Sequence, residues 1–112
     1  MKFTPKNVVG HLPAEKKYKG VIVEQKPTPD ERFIWLLIEV EGKSSMLNIT
    51  IPTDSMLFNT FSTAFADSNG EVDTEDFLYA EIEFTLKDKE INGAIYSRFA
   101  TLDVIMEDEN DD

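Results

Sequence analysis

Arg32-Phe33-Ile34-Trp35-Leu36-Leu37-Ile38-Glu39-Val40-Glu41-Gly42 holds the longest apolar run of the chain, and it separates by parity. Ile34, Leu36, Ile38 and Val40 fall on one side of an extended strand. Phe33, Trp35, Leu37 and Glu39 fall on the other, because successive side chains of a strand point to opposite faces. The uniformly aliphatic side is the natural interior. Phe33 and Trp35 are then left as large aromatics on a face that the chain itself or a ligand must cover.

Working outward, Lys17 to Lys26 (KYKGVIVEQK) reads as a preceding strand, with Gly20 marking a bulge or a barrel corner. Pro27, Pro29 and Asp30 make the turn between the two. Glu41 to Ser44 closes a hairpin into Ser45 to Ile51, where Leu47, Ile49 and Ile51 alternate with Met46, Asn48 and Thr50. Pro52 ends that strand. Thr53, Asp54 or Ser55 can cap a helix over MLFNTFSTAFA, whose Leu57, Phe58, Phe61, Ala64 and Phe65 share one face.

Asp67 to Phe77 (DSNGEVDTEDF) imitates part of a calcium-binding loop, but Phe65 occupies the first ligand position and cannot supply an oxygen. It reads as a turn-rich acidic loop. Tyr79 to Lys87 returns to period two, with Ala80, Ile82, Phe84 and Leu86 inward. Asn92-Gly93 predicts a tight hairpin, since both residues tolerate the positive φ that a type I′ turn imposes. It leads to a fifth strand, Ala94 to Ile105. There Tyr96 and Arg98 share the parity of Ala100, Leu102 and Val104, and they face outward only if a bulge near Phe99 resets the phase.

At 112 residues the chain is expected to form one domain: an irregular arm over 1–16, a barrel over 17–106 and a disordered, like-charged tail over 107–112. The element order, three strands, a helix and two strands, is that of an all-β protein with one helix. It matches a five-stranded Greek-key OB-fold barrel, in which the helix stops one end. A five-stranded meander with a packed helix is the alternative.

No apolar run approaches the length of a membrane span, and no export signal is seen, so the expected location is cytoplasmic with no membrane partner. With no cysteine and a single histidine, His11, neither thiolate nor clustered-histidine metal chemistry is available, and no cofactor is expected. No acid pair stands out from the abundant carboxylates, so no catalytic role is expected. Net charge is −11, but five of the 22 acids lie in the last six residues. Residues 1–32 carry seven of the 11 bases against four acids, so the basic character is concentrated near the start.

The stretch DFLYAEIEFTLKDKEINGAIYSRFATLDVI (76–105) resembles the last two strands of small OB-fold single-stranded DNA-binding proteins of bacteriophages and mobile elements. In that family a hairpin with a charged, glycine-containing turn leads to a strand beginning Tyr-Ser. The resemblance covers residues 17–112 in element order, and its local motif is short. It implies sequence-tolerant binding of single-stranded DNA in replication or recombination. It also implies an acidic tail that recruits replication and recombination proteins, and it is compatible with a homo-oligomer.

On such a barrel the expected nucleic-acid-binding residues are Trp35 and Phe33, and also Tyr96, for base stacking. Lys17, Lys19, Arg32, Lys43, Lys89 and Arg98 are expected to contact phosphates, with Asn48 on the same face. The competing function is an acidic protein-binding adaptor or DNA-mimic inhibitor, because residues 33–112 hold four bases against 18 acids.

Overall fold

The computed structural model describes residues 7–14 and 16–105. The first six residues of the expected arm and the acidic tail over 107–112 lie outside them. The described chain is mostly β with one helix. Its strands are β1 (Asn7–Val9), β2 (Lys17–Pro27), β3 (Phe33–Val40), β4 (Ser45–Pro52), β5 (Glu81–Ile91) and β6 (Ala94–Val104). The helix α1 (Met56–Thr63) and a 3-10 turn (Thr74–Phe77) lie between β4 and β5. All six strands form one curled sheet in the order β1-β4-β3-β2-β5-β6. Among the described residues no helix is long and apolar enough to cross a membrane.

The parity of β3 places Ile34, Leu36, Ile38 and Val40 in the core, essentially inaccessible to water. Leu47, Ile49 and Ile51 of β4 join them across the antiparallel ladder, and Ile82, Phe84 and Leu86 of β5 complete the wall. Each such side chain stabilises the fold by about 1.5–3 kcal/mol through the apolar surface it removes from water. Curling the sheet demands a close approach at one point. A Cβ on Gly20 would stand 2.7 Å from Ile38 Cγ2 and 2.9 Å from the carbonyl oxygen of Glu39, so only glycine fits where β2 pairs with both β3 and β5, while the irregularity of β2 expected at Gly20 falls between Ile22 and Glu24.

Ser55 caps α1, its hydroxyl accepting from the Phe58 N–H at 3.1 Å. The helix stops at Thr63, earlier than the apolar stripe suggests, and Ala64 is exposed. Phe58 and Phe61 of the helix and Phe65 just beyond it close around Phe77, whose ring lies 4.7 Å from Phe61, 5.0 Å from Phe65 and 6.2 Å from Phe58, centroid to centroid. Phe77 is fully buried. The segment that sequence assigns to an acidic loop therefore carries one of the plugs of the core.

The sheet has six strands rather than five. Asn7–Val9, expected as irregular backbone, runs parallel to β4, with Val8 opposite Met46. The chain then crosses to β6. Gly10 O accepts from Ser97 N at 2.8 Å, and Leu12 N donates to the Ser97 hydroxyl at 2.9 Å, which in turn donates to Leu12 O at 3.3 Å. Leu12 is buried there. This segment bridges the seam between β4 and β6, satisfying backbone groups that an open edge would leave bare.

Candidate nucleic-acid interface

One strand irregularity decides which side chains of β6 reach the outer surface. In β6, Thr101 pairs with Thr85 but Phe99 pairs with Leu86, so Ala100 is an extra residue. Phe99 and Leu102 are consequently both buried while Ala100 is exposed. The bulge turns Tyr96 and Arg98 outward, resolving the ambiguity left by their sequence parity. Ser97 then points inward and is free to grip Leu12.

On the outer side of β3, Phe33 lies opposite Pro52, Trp35 opposite Thr50 and Leu37 opposite Asn48. Asn48 is thus the diagonal neighbour of Trp35, within reach of a large aromatic. The indole N–H of Trp35 donates to Asn48 Oδ1. The indole is half-buried, while Phe33 and Tyr96 are 39% and 43% exposed.

An open groove of about 570 Å³ brings Phe33, Asn48, Tyr96 and Arg98 together, with Thr28 from the β2–β3 loop and Ile91 from the β5–β6 hairpin at its margins. Arg98 spans it at the base, its guanidinium donating to Thr50 O at 3.0 Å. Beyond Arg98 and Thr50 the surface continues into a shallower depression that carries Lys87 and Lys89. Lys87 is paired with Arg98 and Lys89 with Tyr96 in the ladder, so the three cations project on one side of the hairpin. Asp88, of opposite parity, is engaged by His11 Nε2 at 2.9 Å. The groove thus offers two aromatic faces beside three cations.

The other expected residues fall elsewhere. Arg32 lies next to Phe33, around a separate depression with Pro52 and Asp54. In the loop before it, the Thr28 hydroxyl and the Arg32 N–H donate to Asp30, which holds that carboxyl below the ordinary aspartate range. Lys17 faces Glu83 at 3.7 Å. Lys19 and Lys43 border a concavity shared with Glu39, Glu41 and Glu81, and Lys43 Nζ sits 5.9 Å above the Tyr18 ring. These three lysines belong to a surface of mixed charge. Lys87, Ile91, Thr28 and Gly10 are groove or groove-floor residues that sequence reasoning did not single out. For Lys87 the signal was present, since it shares the outward parity of Lys89. For Gly10 there was none.

The 67–77 segment uses its acids as caps. Asp67 Oδ1 accepts from Asn69 N at 2.8 Å and from Glu71 N at 3.0 Å, and Asp73 Oδ1 accepts from Glu75 N at 3.0 Å. Among the described residues no three His, Cys, Asp or Glu side chains are grouped to hold a metal ion. Glu31, Asp67, Glu71, Asp73 and Asp76 rim a second concavity above Ile34 and Phe58. Its charge is opposite to that of the hairpin groove. No protein-family model, curated protein or solved structure matches this chain.

Proposed function

We propose that this protein binds single-stranded DNA in the groove between β3–β4 and the β5–β6 hairpin, without strong sequence preference and without catalysing a reaction. What supports this is the convergence of exposed Phe33 and Tyr96 with Arg98, Lys87 and Lys89 on one continuous surface. Aromatic faces stack on any base, at about 1–3 kcal/mol each, while cations follow the backbone. Setting β1 aside, the strand order β4-β3-β2-β5-β6 is the one an OB-fold would have. In that fold the face of β3 and β4 and the loops at 28–32 and 91–94 are where oligonucleotides bind, and those loops contribute Thr28 and Ile91 here. A cytoplasmic role in replication or recombination, including that of a bacteriophage, accords with this activity.

The test is a fluorescence-anisotropy titration of the protein into a labelled poly-pyrimidine oligonucleotide at low salt. Saturable binding that is competed by unlabelled single strands is the expected result. Absence of saturation would sink the proposal. It would then favour the acidic adaptor, which has its own observation in the carboxylate-rimmed concavity of Glu31, Asp67, Glu71, Asp73 and Asp76.

A further inference from the structure

Asparagine followed by glycine occurs twice in the chain, at Asn69-Gly70 and at Asn92-Gly93. In such a pair the glycine nitrogen lies next to the side-chain amide it can attack, with no Cβ on the glycine to obstruct it. Both pairs are exposed turns with the glycine at positive φ, but their backbones are held differently. The Gly70 N–H donates to Asp67 O at 2.9 Å, and Asp67 Oδ1 accepts from the N–H groups of Asn69 and Glu71 at 2.8 and 3.0 Å. These bonds hold the nitrogen in place, and the Asp67 carboxylate opposes the negative charge it develops on attack. At the hairpin nothing comparable is found. Among the described residues neither the Gly93 N–H nor the Asn92 side chain has a hydrogen-bond partner. This turn also ends a two-stranded arm. β5 pairs with β2 only as far as Thr85, so from Leu86 to Ile91 its ladder partner is β6 alone, and such an arm opens locally more readily than the sheet that carries it.

We propose that Asn92 is a site of spontaneous deamidation, which sets a carboxylate at the hairpin tip beside Ile91, on the margin of the groove, and weakens oligonucleotide binding. The Gly93 nitrogen gives its proton to solvent and bonds to Asn92 Cγ. The Cγ–Nδ2 bond breaks, and ammonia leaves with a proton from water. Water then opens the resulting cyclic imide at either carbonyl, leaving Asp or its β-linked isomer, with no change of oxidation state. Asp still suits a type I′ turn before glycine, whereas the β-linked isomer lengthens the backbone of a turn whose register depends on its length. The effect on binding rests on the single-strand reading above. The choice of Asn92 over Asn69 does not.

The test holds the full-length protein in mildly alkaline buffer and follows both asparagines by peptide mapping with mass spectrometry. Asn92 should convert about fivefold faster than Asn69, the equivalent of the one hydrogen bond that the Gly70 N–H must break. A saturating poly-pyrimidine oligonucleotide should slow conversion at Asn92 and leave the rate at Asn69 unchanged. Asn92→Asp, which carries the product charge in an intact turn, should bind that oligonucleotide about two- to fivefold more weakly, as one carboxylate near a phosphate in water requires. Asn69→Asp should bind it as wild type does. The mapping requires no variant to fold. Conversion at Asn69 as fast as at Asn92 overturns the site. If Asn92 converts first but the oligonucleotide binds Asn92→Asp as tightly as wild type, the effect on binding is overturned and single-strand binding stands. If Asn92 converts first and no oligonucleotide binds the wild type, the single-strand reading falls while the modification site is upheld.

Discussion

The ring of Tyr96 lies over Gly10 so closely that a Cβ at Gly10 would stand 3.3 Å from Tyr96 Cδ1. The first described segment of the chain is therefore the floor under one of the aromatic faces of the groove. Gly10→Val should lift or tilt the Tyr96 ring and weaken oligonucleotide binding, by less than the loss of a whole stacking residue. Anisotropy titration of this variant against wild type checks it. Unchanged affinity would mean that the ring position is irrelevant to binding.

Removing the aromatic faces outright should cost more. Phe33→Ala and Tyr96→Ala should each weaken binding by about 1–3 kcal/mol. Because both side chains are substantially exposed, thermal unfolding should shift little. A large loss of stability in either would place that ring in the fold rather than in the site.

Charge along the groove and its continuation comes from Lys87, Lys89 and Arg98, while Arg32 lies around a separate depression that shares Phe33. Three or four phosphate contacts at about 0.7 each give a slope of log affinity on log salt of about −2 to −3. Lys89→Ala should reduce the magnitude of that slope by about 0.7. Lys17→Ala, whose lysine faces Glu83, should leave the slope as it was.

Gly20→Ala tests how the sheet curls. The added methyl would collide with Ile38 and with the Glu39 carbonyl, one of them rigid backbone. The expected destabilisation is about 1–3 kcal/mol, as for overpacking elsewhere, read by urea unfolding. A variant as stable as wild type would show that β2 and β3 separate there at no cost.

Asp67 accepts hydrogen bonds from the backbone N–H groups of Glu71 and Asn69, which hold its carboxyl below the ordinary aspartate range. A lowered folded-state value means that the charged form supports the turn. Its contribution is present above the ordinary value and is lost as pH falls through the folded one, below about pH 4. Carbon-detected carboxyl titration should give Asp67 a midpoint below the ordinary aspartate value. A midpoint at the ordinary value would remove the cap from the account.

Much of the fold was legible because two signals are strictly local. The alternation of Ile34, Leu36, Ile38 and Val40 requires only that one face be dry. Asn92 and Gly93 adopt φ values of 52° and 86°, as the hairpin turn demands. What was not legible depends on distant partners. Asn7–Val9 has no period of its own and is a strand only because β4 offers an edge. Phe77 sits in an acidic sequence and is buried because three phenylalanines of the helix segment close on it. In the site, Phe33 and Asn48 could be named from face and element order, whereas Tyr96 and Arg98 share the parity of buried Leu102 and face outward only through the bulge at Ala100. Lys17, Lys19 and Lys43 were named by charge, and charge does not reveal that Glu83, Glu39 and Glu81 lie beside them.

The hydrogen bonds between Leu12 and Ser97 join residues 85 positions apart. A nascent chain exposes Leu12 well before Ser97, so this seam cannot close until β6 has been synthesised. Closing so long a loop is entropically costly, and non-local pairings of this kind slow folding. The groove acquires its floor only at that step. A chain that lacks β6 has Gly10 but not the Tyr96 ring that rests on it, so the groove is assembled only when the last strand of the sheet joins the rest.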